Sequence, residues 1–418
     1  MKPLITRVLL VRHGRSTFNE QGRYQGSSDQ SVLTAEGLKT AQSVGCYLNQ
    51  RFVHRPIDIV YASPLQRVQQ TAYAITQAIA PRRRPLITIS SLLKEISLSH
   101  WEGLPYAQVK QQFPEQYQCW QQRPHRFQLP VHPAAVSAKG ASSVATVAAV
   151  KTYFPVRSLY QSAQQFWHKT LPQHSGQTLL IVSHSATIHA LISTAFGIPA
   201  VCHHSLQQSN CGISELTFRG PFTKNNSAEN GSAENSSMVN SSMVNSQAVN
   251  SVHIPQAQLH QLNQTTTLGE SLPKLKVNKK GVRLLLLPSE GLTAEACEQL
   301  AERMRQLPIA FCLAASLVRP LLPSLFYHCP DTLCLDVQND SFLETWQQQL
   351  FAYRQSERPL MTGLAIAPTA SIQTLLSQVL SIPTSHHTLN CLNLHPHNFS
   401  LVHYPYRHRP VVQAINIP

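Results

Sequence analysis

The stretch LLVRHGRSTFNEQG (residues 9–22) starts as an apolar run and empties into a polar loop. Together with the preceding residues it gives ITRVLLV (5–11), a short apolar run that reads as a buried β-strand. The strand delivers Arg12, His13 and Gly14 to its carboxyl end. A second stretch, LLLLPSEGLTAEAC (284–297), has the same outline: apolar run, Gly-containing loop, helical pattern. It carries Pro288, Ser289, Glu290 and Gly291 where the first carries its Arg-His-Gly. The pair raises the expectation of one unit written twice, with its chemistry kept once.

Working outward from residue 9, strand and helix signals alternate. LTAEGLKTAQSVGCYLNQRF (33–52) spaces Leu38, Ala41, Val44, Leu48 and Phe52 as one helical face, with Thr34 as its N-cap. IDIVYA (57–62) reads as a strand. The next helix is expected to use Ser63 as N-cap and Pro64 as first helical residue, with the stripe Leu65, Val68, Ala72, Ile75, Ile79. TLLIVS (178–183) is a strand, and SATIHALISTAF is a helix stopped by Gly197. This alternation predicts an α/β fold, a three-layer sandwich on a mostly parallel sheet. AAVSAKGASSVATVAAVK (134–151) fits helix, strand pair or inserted loop equally.

A chain of 418 residues can hold two or three cores. The Ser/Asn-rich stretch around 227–251, with SAEN and SSMVN each written twice, cannot bury enough apolar surface to offset its ordering entropy. The organisation expected is therefore a domain over 1–220, a flexible linker over 221–280 and a second domain over 281–418. No apolar run approaches the ~20 residues of a membrane-spanning helix, and the first residues read as a strand rather than a signal peptide. Nine cysteines without a CxxC pair suit reduced thiols and a cytoplasmic setting. The net charge of +14 suits small anions, nucleic acid or a membrane surface. The one dense basic cluster, PRRRP (81–85), reads as a solvated loop, so neither nucleic acid nor membrane is expected as partner.

In open α/β sheets, ligands bind outside the carboxyl ends of the strands. Three strand ends here offer Arg12 and His13, then Ser63 and Arg67, then His184 at a helix start. Guanidinium forks grip phosphate oxygens, imidazole can attack phosphorus, and a helix N-terminus favours an anion. With these residues in view, LLVRHGRSTFNEQG, ASPLQRVQQTA, LLKEISLSHWEG and LLIVSHSATIHALI resemble the four signature blocks of the histidine phosphatase superfamily, over about residues 5–215. The resemblance implies a phosphoglycerate mutase-like fold. It implies His13 as nucleophile, and Arg12, Asn19, Arg67 and His184 as phosphate ligands. His184 also counts among the catalytic groups, and Glu95 as general acid, with Glu102 in the neighbouring WEG loop. Neither a metal nor a cofactor is implied. The function expected is hydrolysis of a small phosphorylated metabolite, of sugar-phosphate or α-ribazole-phosphate type, through a phosphohistidine. A mutase and a non-catalytic phospho-ligand binder are the alternatives.

Two departures stand out. Ala186 replaces a Gly common in the family, and the 134–151 stretch replaces the usual substrate-facing segment. Missing mutase-type loop signatures favour a phosphatase. In the C-terminal part, the His13 position falls on Ser289 or its neighbour, His184 on Pro368 or its neighbour, and Arg67 on Val318 or Arg319. A shared IP…His-His tail supports the pairing, so the fold is expected twice, the second copy degenerate and non-catalytic.

Overall fold

The computed structural model describes residues 4–130, 152–220, 222, 257–275, 280–337, 342–354, 359–383 and 391–418. The stretch 134–151, most of the expected linker and the second His-His pair lie outside the described residues. In the first half the strands are β1 (Ile5–Arg12), β2 (Ile59–Ala62), β3 (Leu86–Ile89), the two-residue pair β4 (Leu129–Pro130) and β5 (Thr152–Tyr153), β6 (Thr178–Ser183), β7 (Ile213–Arg219) and β8 (Ala257–Gln264). Its helices are α1 (Thr17–Glu20), α2 (Ala35–Arg51), α3 (Gln66–Gln77), α4 (Tyr106–Gln112), α5 (Pro114–Gln122), α6 (Pro155–Thr170) and α7 (Ser185–Phe196). The second half adds β9 (Gly281–Pro288), β10 (Ile309–Ala314), β11 (Leu333–Asp336), β12 (Met361–Ala367), β13 (Phe399–Pro405) and β14 (Val411–Ile417). Helices α8 (Ala294–Met304), α9 (Leu322–Leu325), α10 (Phe342–Arg354) and α11 (Thr369–Leu380) accompany them.

Strand period and layer structure agree. Leu9 and Val11 of β1 face one core with Leu180 and Val182 of β6, under α2 and α3. Val8 and Leu10 face the other with Leu179 and Ile181, under α6 and α7. A strand buried on both faces reads as a continuous apolar run, as 8–11 does. In the second half Leu285 and Leu287 meet α8, while Leu284 and Leu286 join the same core as Val8 and Leu10. One core therefore runs along a single face through both halves.

All but β4 and β5 lie in one twelve-stranded mixed sheet, in the order β11-β10-β12-β9-β13-β14-β8-β7-β1-β6-β2-β3. The outer pairs are parallel and the inner ones antiparallel. Read from either edge, the order meets corresponding strands in turn until β8 meets β14 at the centre. This differs from two separate sandwiches joined by a free tether. It also corrects the linker over 221–280: residues 257–264 form β8, a central strand. Its sequence, AQLHQLNQ, is polar enough to pass for linker, yet its polar side chains are bonded inside the sheet. Asn263 Nδ2 donates to the Gln413 carbonyl at 2.8 Å, and Asn416 Nδ2 donates to the His260 carbonyl at 2.7 Å. Both asparagines sit at positive φ, +52° and +56°, a conformation Asn tolerates better than most residues.

Helix details also refine the sequence reading. Thr34 caps α2 through the Gly37 N–H, but Leu38 is exposed, and Gly37 and Gly45 take its place on the packed face. The stripe Leu65, Val68, Ala72, Ile75, Ile79 is buried throughout. Its helix starts at Gln66, two residues later than expected, because Asp29 Oδ1 accepts the Gln66 N–H at 2.6 Å. The Ser63 hydroxyl is engaged elsewhere. No helix among the described residues is long and apolar enough to cross a membrane.

Burial leaves a pH signature. His403 of β13 is buried, and burial, with Arg283 and His408 nearby, pushes its imidazole down to about 4. A lowered pKa means the stabilisation is complete above the ordinary value near ~6.5 and is lost as pH falls towards 4. Between pH 7 and 5 this residue should remove about 1 to 2 kcal/mol of stability. Urea unfolding at the two pH values should show a shallower loss for His403→Leu than for the parent chain; equal losses contradict the assignment.

Candidate active site

Register sets the site. Arg12 of β1 is level with Ser183 of β6, and Ala62 of β2 with Val182. The first residues past these ends continue the ladder, His13 N–H to the Ser183 carbonyl at 2.9 Å and Ser63 N–H to the Val182 carbonyl at 3.3 Å. Arg12, His13, Ser63 and His184 thus emerge on one carboxyl edge of the sheet. Gly14 then lets the chain lie flat against α2: a Cβ there would strike the Gly37 carbonyl, while its N–H reaches Thr71 Oγ1 at 3.0 Å.

His13 is buried, and its Nδ1 lies 2.8 Å from the Gly14 carbonyl. A carbonyl only accepts, so Nδ1 carries a proton, and Nε2 is the ring nitrogen suited to attack. Its ring meets that of His184 edge-on, with centroids 5.3 Å apart. His184 Nε2 is 2.8 Å from Ser63 Oγ, and its Nδ1 has no protein partner. Burial, then Arg67, His13 and Arg12, hold His184 well below its ordinary pKa, which favours the neutral ring at pH 7.

Two guanidinium groups converge here. Arg67 is fully buried and donates to the carbonyls of Ser28 (2.8 Å) and Gly26 (2.9 Å). Burial lowers its pKa only to about 10, so it stays cationic. Arg12 Nη1 donates to the Gln208 carbonyl at 2.9 Å, and burial lowers its pKa too. The Nε of each lacks a protein partner, and neither group joins an ion pair within 4.0 Å among the described residues. Buried charge without a counter-ion is costly and favours an incoming anion.

Glu95 sits across the opening, on the wall of a cavity of about 420 Å³ that Arg12 and Asn19 also line. Its Oε1 accepts the Ile96 N–H at 2.9 Å, and the N–H of Ala186 at the start of α7 also bonds it. Burial pushes this carboxyl above its ordinary pKa, against the pull of those bonds, Arg67 and Arg12. Asn19 Oδ1 accepts from Asn210 Nδ2 (3.0 Å) and Ser16 Oγ (3.1 Å), leaving the amide nitrogen for the cavity. All the residues picked from the sequence are thus brought to one place. Glu102 is apart: its Oε1 accepts from Ser27 and Leu98 and ties two loops together.

Sequence reading missed the supports. Ser63 was legible as a cap and as a strand-end residue, not as the partner of His184. The loop 205–212 gave no signal, yet Gln208 holds Arg12, and Asn210 Nδ2 also bonds the carbonyls of His13 (3.0 Å) and Gly14 (3.2 Å).

Residues 8–226 match the family described as histidine phosphatase superfamily (branch 1). A protein of Arabidopsis thaliana named "Probable 2-carboxy-D-arabinitol-1-phosphatase" is 35% identical over 212 residues, which are 51% of this chain and 38% of that protein. The chain therefore spans about two fifths of that relative's length. "Phosphoserine phosphatase 1" of Hydrogenobacter thermophilus is 28% identical over 194 residues, 46% of this chain and 78% of that protein. Among solved structures, "Bacillus stearothermophilus YhfR" aligns at 24% identity with a TM-score of 0.41, over 50% of this chain and 90% of that one.

The Arg67 cradle depends on Gly26, at φ +50°, where a Cβ would strike the Glu102 side chain. Gly26→Ala must displace the carbonyl that holds Arg67, and should weaken inorganic phosphate binding roughly ten-fold by calorimetry. Gly103→Ala, at φ +82° but facing open space, should change binding less than about two-fold. Equal affinities in all three proteins would contradict the role of this loop.

Proposed function

This chain belongs to the histidine phosphatase superfamily, and on that premise we propose that it is a metal-independent phosphomonoesterase working through a phosphohistidine at His13. The observation that carries the proposal is the pair of buried guanidinium groups, Arg12 and Arg67, with no contact ion pair among the described residues, beside the His13 imidazole whose Nδ1 is held by the Gly14 carbonyl. Arg12, Arg67, Asn19 and His184 bind the transferring phosphoryl group and balance its charge. His13 Nε2 attacks phosphorus as the ester P–O bond breaks, and Glu95 gives its proton to the departing alkoxide. Glu95 then takes a proton from water as the water oxygen attacks phosphorus and the P–N bond breaks. A carboxyl with a raised pKa suits both roles.

The substrate class we favour is a sugar-phosphate type. Beyond Arg12 and Glu95, the cavity wall includes Tyr24, Tyr106, Trp120, Gln121 and Gln207, apolar faces interleaved with neutral hydrogen-bonding tips. Such a wall fits a hydroxylated carbon chain. A relative named as a phosphatase of a phosphorylated arabinitol derivative supports the same class.

We read the C-terminal half as a degenerate second copy. Strand order supports this, and so does register. Ser289 N–H donates to the Ala367 carbonyl at 2.9 Å, as His13 does to Ser183, so Ser289 stands in the nucleophile's place and Pro368 in that of His184. The matching arginine is Arg319, which is exposed and 3.1 Å from Asp336. Glu290 replaces Gly14, and its carboxylate accepts the Thr369 N–H (2.9 Å) and Oγ1 (2.8 Å) at the start of α11. The helix end that would receive a phosphate already holds an anion of the chain itself.

The test is turnover of an aryl phosphate and a sugar-phosphate panel without added metal, with acid-labile phosphoenzyme trapped in parallel. His13→Ala should lose both signals, and Ser289→Ala should keep them. Glu95→Gln should lose about a hundred-fold or more on sugar phosphates, and much less on an aryl phosphate whose leaving group needs no proton. Isomerised product without released phosphate would instead indicate a mutase. A wild-type chain that neither turns over nor labels would end the enzymatic reading.

A further inference from the structure

The loop 205–212 lies between the phosphate site and the second half of the chain. On its inner side Gln208 holds Arg12, and Asn210 holds His13, Gly14 and Asn19. Its outer side is gripped by β14. Val412 N–H donates to the Ser205 carbonyl at 2.8 Å and the Gln207 N–H donates to the Val412 carbonyl at 3.0 Å. Gln413, wholly buried, donates from Nε2 to Gln207 Oε1 at 3.1 Å. Gln207 Nε2 in turn donates to the Lys274 carbonyl at 2.9 Å. Asn263 closes the set, taking the Ser209 N–H on Oδ1 at 2.7 Å while donating to the Gln413 carbonyl.

The grip is reciprocated across the seam. The Asn393 N–H donates to the Leu259 carbonyl at 3.0 Å, and His260 Nδ1 lies 3.0 Å from Asn393 Nδ2. His260 thus stands to loop 391–398 as Gln413 stands to loop 205–212. Only one of these loops borders the phosphate site.

We propose that Gln413, contributed by the C-terminal half, is a positioning residue for the Arg12 guanidinium, so that the second half is a brace the phosphate site requires. The inference rests on the phosphate-binding reading given above. The link is short: Gln413 fixes Gln207, and the next residue supplies the carbonyl that aims Arg12. Losing the Gln413 amide removes one of the bonds that hold Gln207 and loosens the Gln208 carbonyl, so the cost falls on anion binding.

The experiment uses the full chain, with inorganic phosphate as calorimetric probe and an aryl phosphate for kcat and KM. Gln413→Leu should weaken phosphate binding and raise KM by about five-fold, while phosphoenzyme still forms. His260→Leu, the seam's mirror substitution, should lower the melting temperature comparably yet keep both values within about two-fold of the parent. In an Arg12→Lys background, Gln413→Leu should add little further loss, because its effect runs through Arg12. Should Gln413→Leu not fold, Gln207→Leu removes the same bond from its other end and should give the same loss. Unchanged affinity, equal losses in both seam variants, or full additivity with Arg12→Lys would overturn the proposal. A parent chain that binds no phosphate and forms no phosphoenzyme would overturn the phosphate reading itself, and the inference with it.

Discussion

Arg67 is a buried cation held by two carbonyl oxygens, with the Glu95, Asp29 and Glu102 carboxylates acting on it from beyond ion-pair contact. That one arrangement constrains the rest of the N-terminal half. Removing a guanidinium from water costs several kcal/mol, and carbonyl dipoles return only part of it. The loop supplying those dipoles must be held rigidly, which explains a glycine at positive φ and the Glu102 carboxylate wedged behind it. Arg12 repeats the arrangement with the Gln208 carbonyl. Burial, and then the two cations, also hold the His184 imidazole well below its ordinary pKa. A dianion entering such a site gains more than it would at a solvated surface, because the donors are already aimed and already dry.

The sheet explains how that aim is kept. A site on strand ends is as precise as the register behind it, and here the register is set on both sides of β1, by β6 and by β7. Beyond β7 the sheet does not stop at a solvent edge. It passes through β8 to β14, so the strand next to the site has packed strands on both flanks. An exposed edge at that place would be a liability that many proteins must blunt with charge or proline. The central pairing removes it, and among the described residues the sheet ends at β3 and β11.

Much of this was legible in the sequence. Continuous apolar runs at 8–11 and 179–182 announced strands buried on both faces, and Leu65, Val68, Ala72 and Ile75 announced the helix that carries Arg67. The quoted stretches alone set Ser289 or its neighbour against His13. What stayed hidden was polar and long-range. β8 has the composition of a linker, yet its Gln, His and Asn side chains find partners up to 155 positions away. Periodicity has no term for such pairs. The Ser63–His184 bond spans 121 residues and was invisible for the same reason. Loop 205–212, whose glutamines and asparagine match no motif, positions the site through the Gln208 carbonyl and the Asn210 side-chain amide, contacts that no residue pattern records.

Glu290 and Glu95 serve two helix starts in the same way. The Glu290 carboxylate accepts from Thr369 at the start of α11, and Glu95 accepts the Ala186 N–H at the start of α7. Each carboxylate comes from a loop far away in the sequence, 79 residues for Glu290. The positive end of a helix thus works in both halves as a fastener between distant segments of chain.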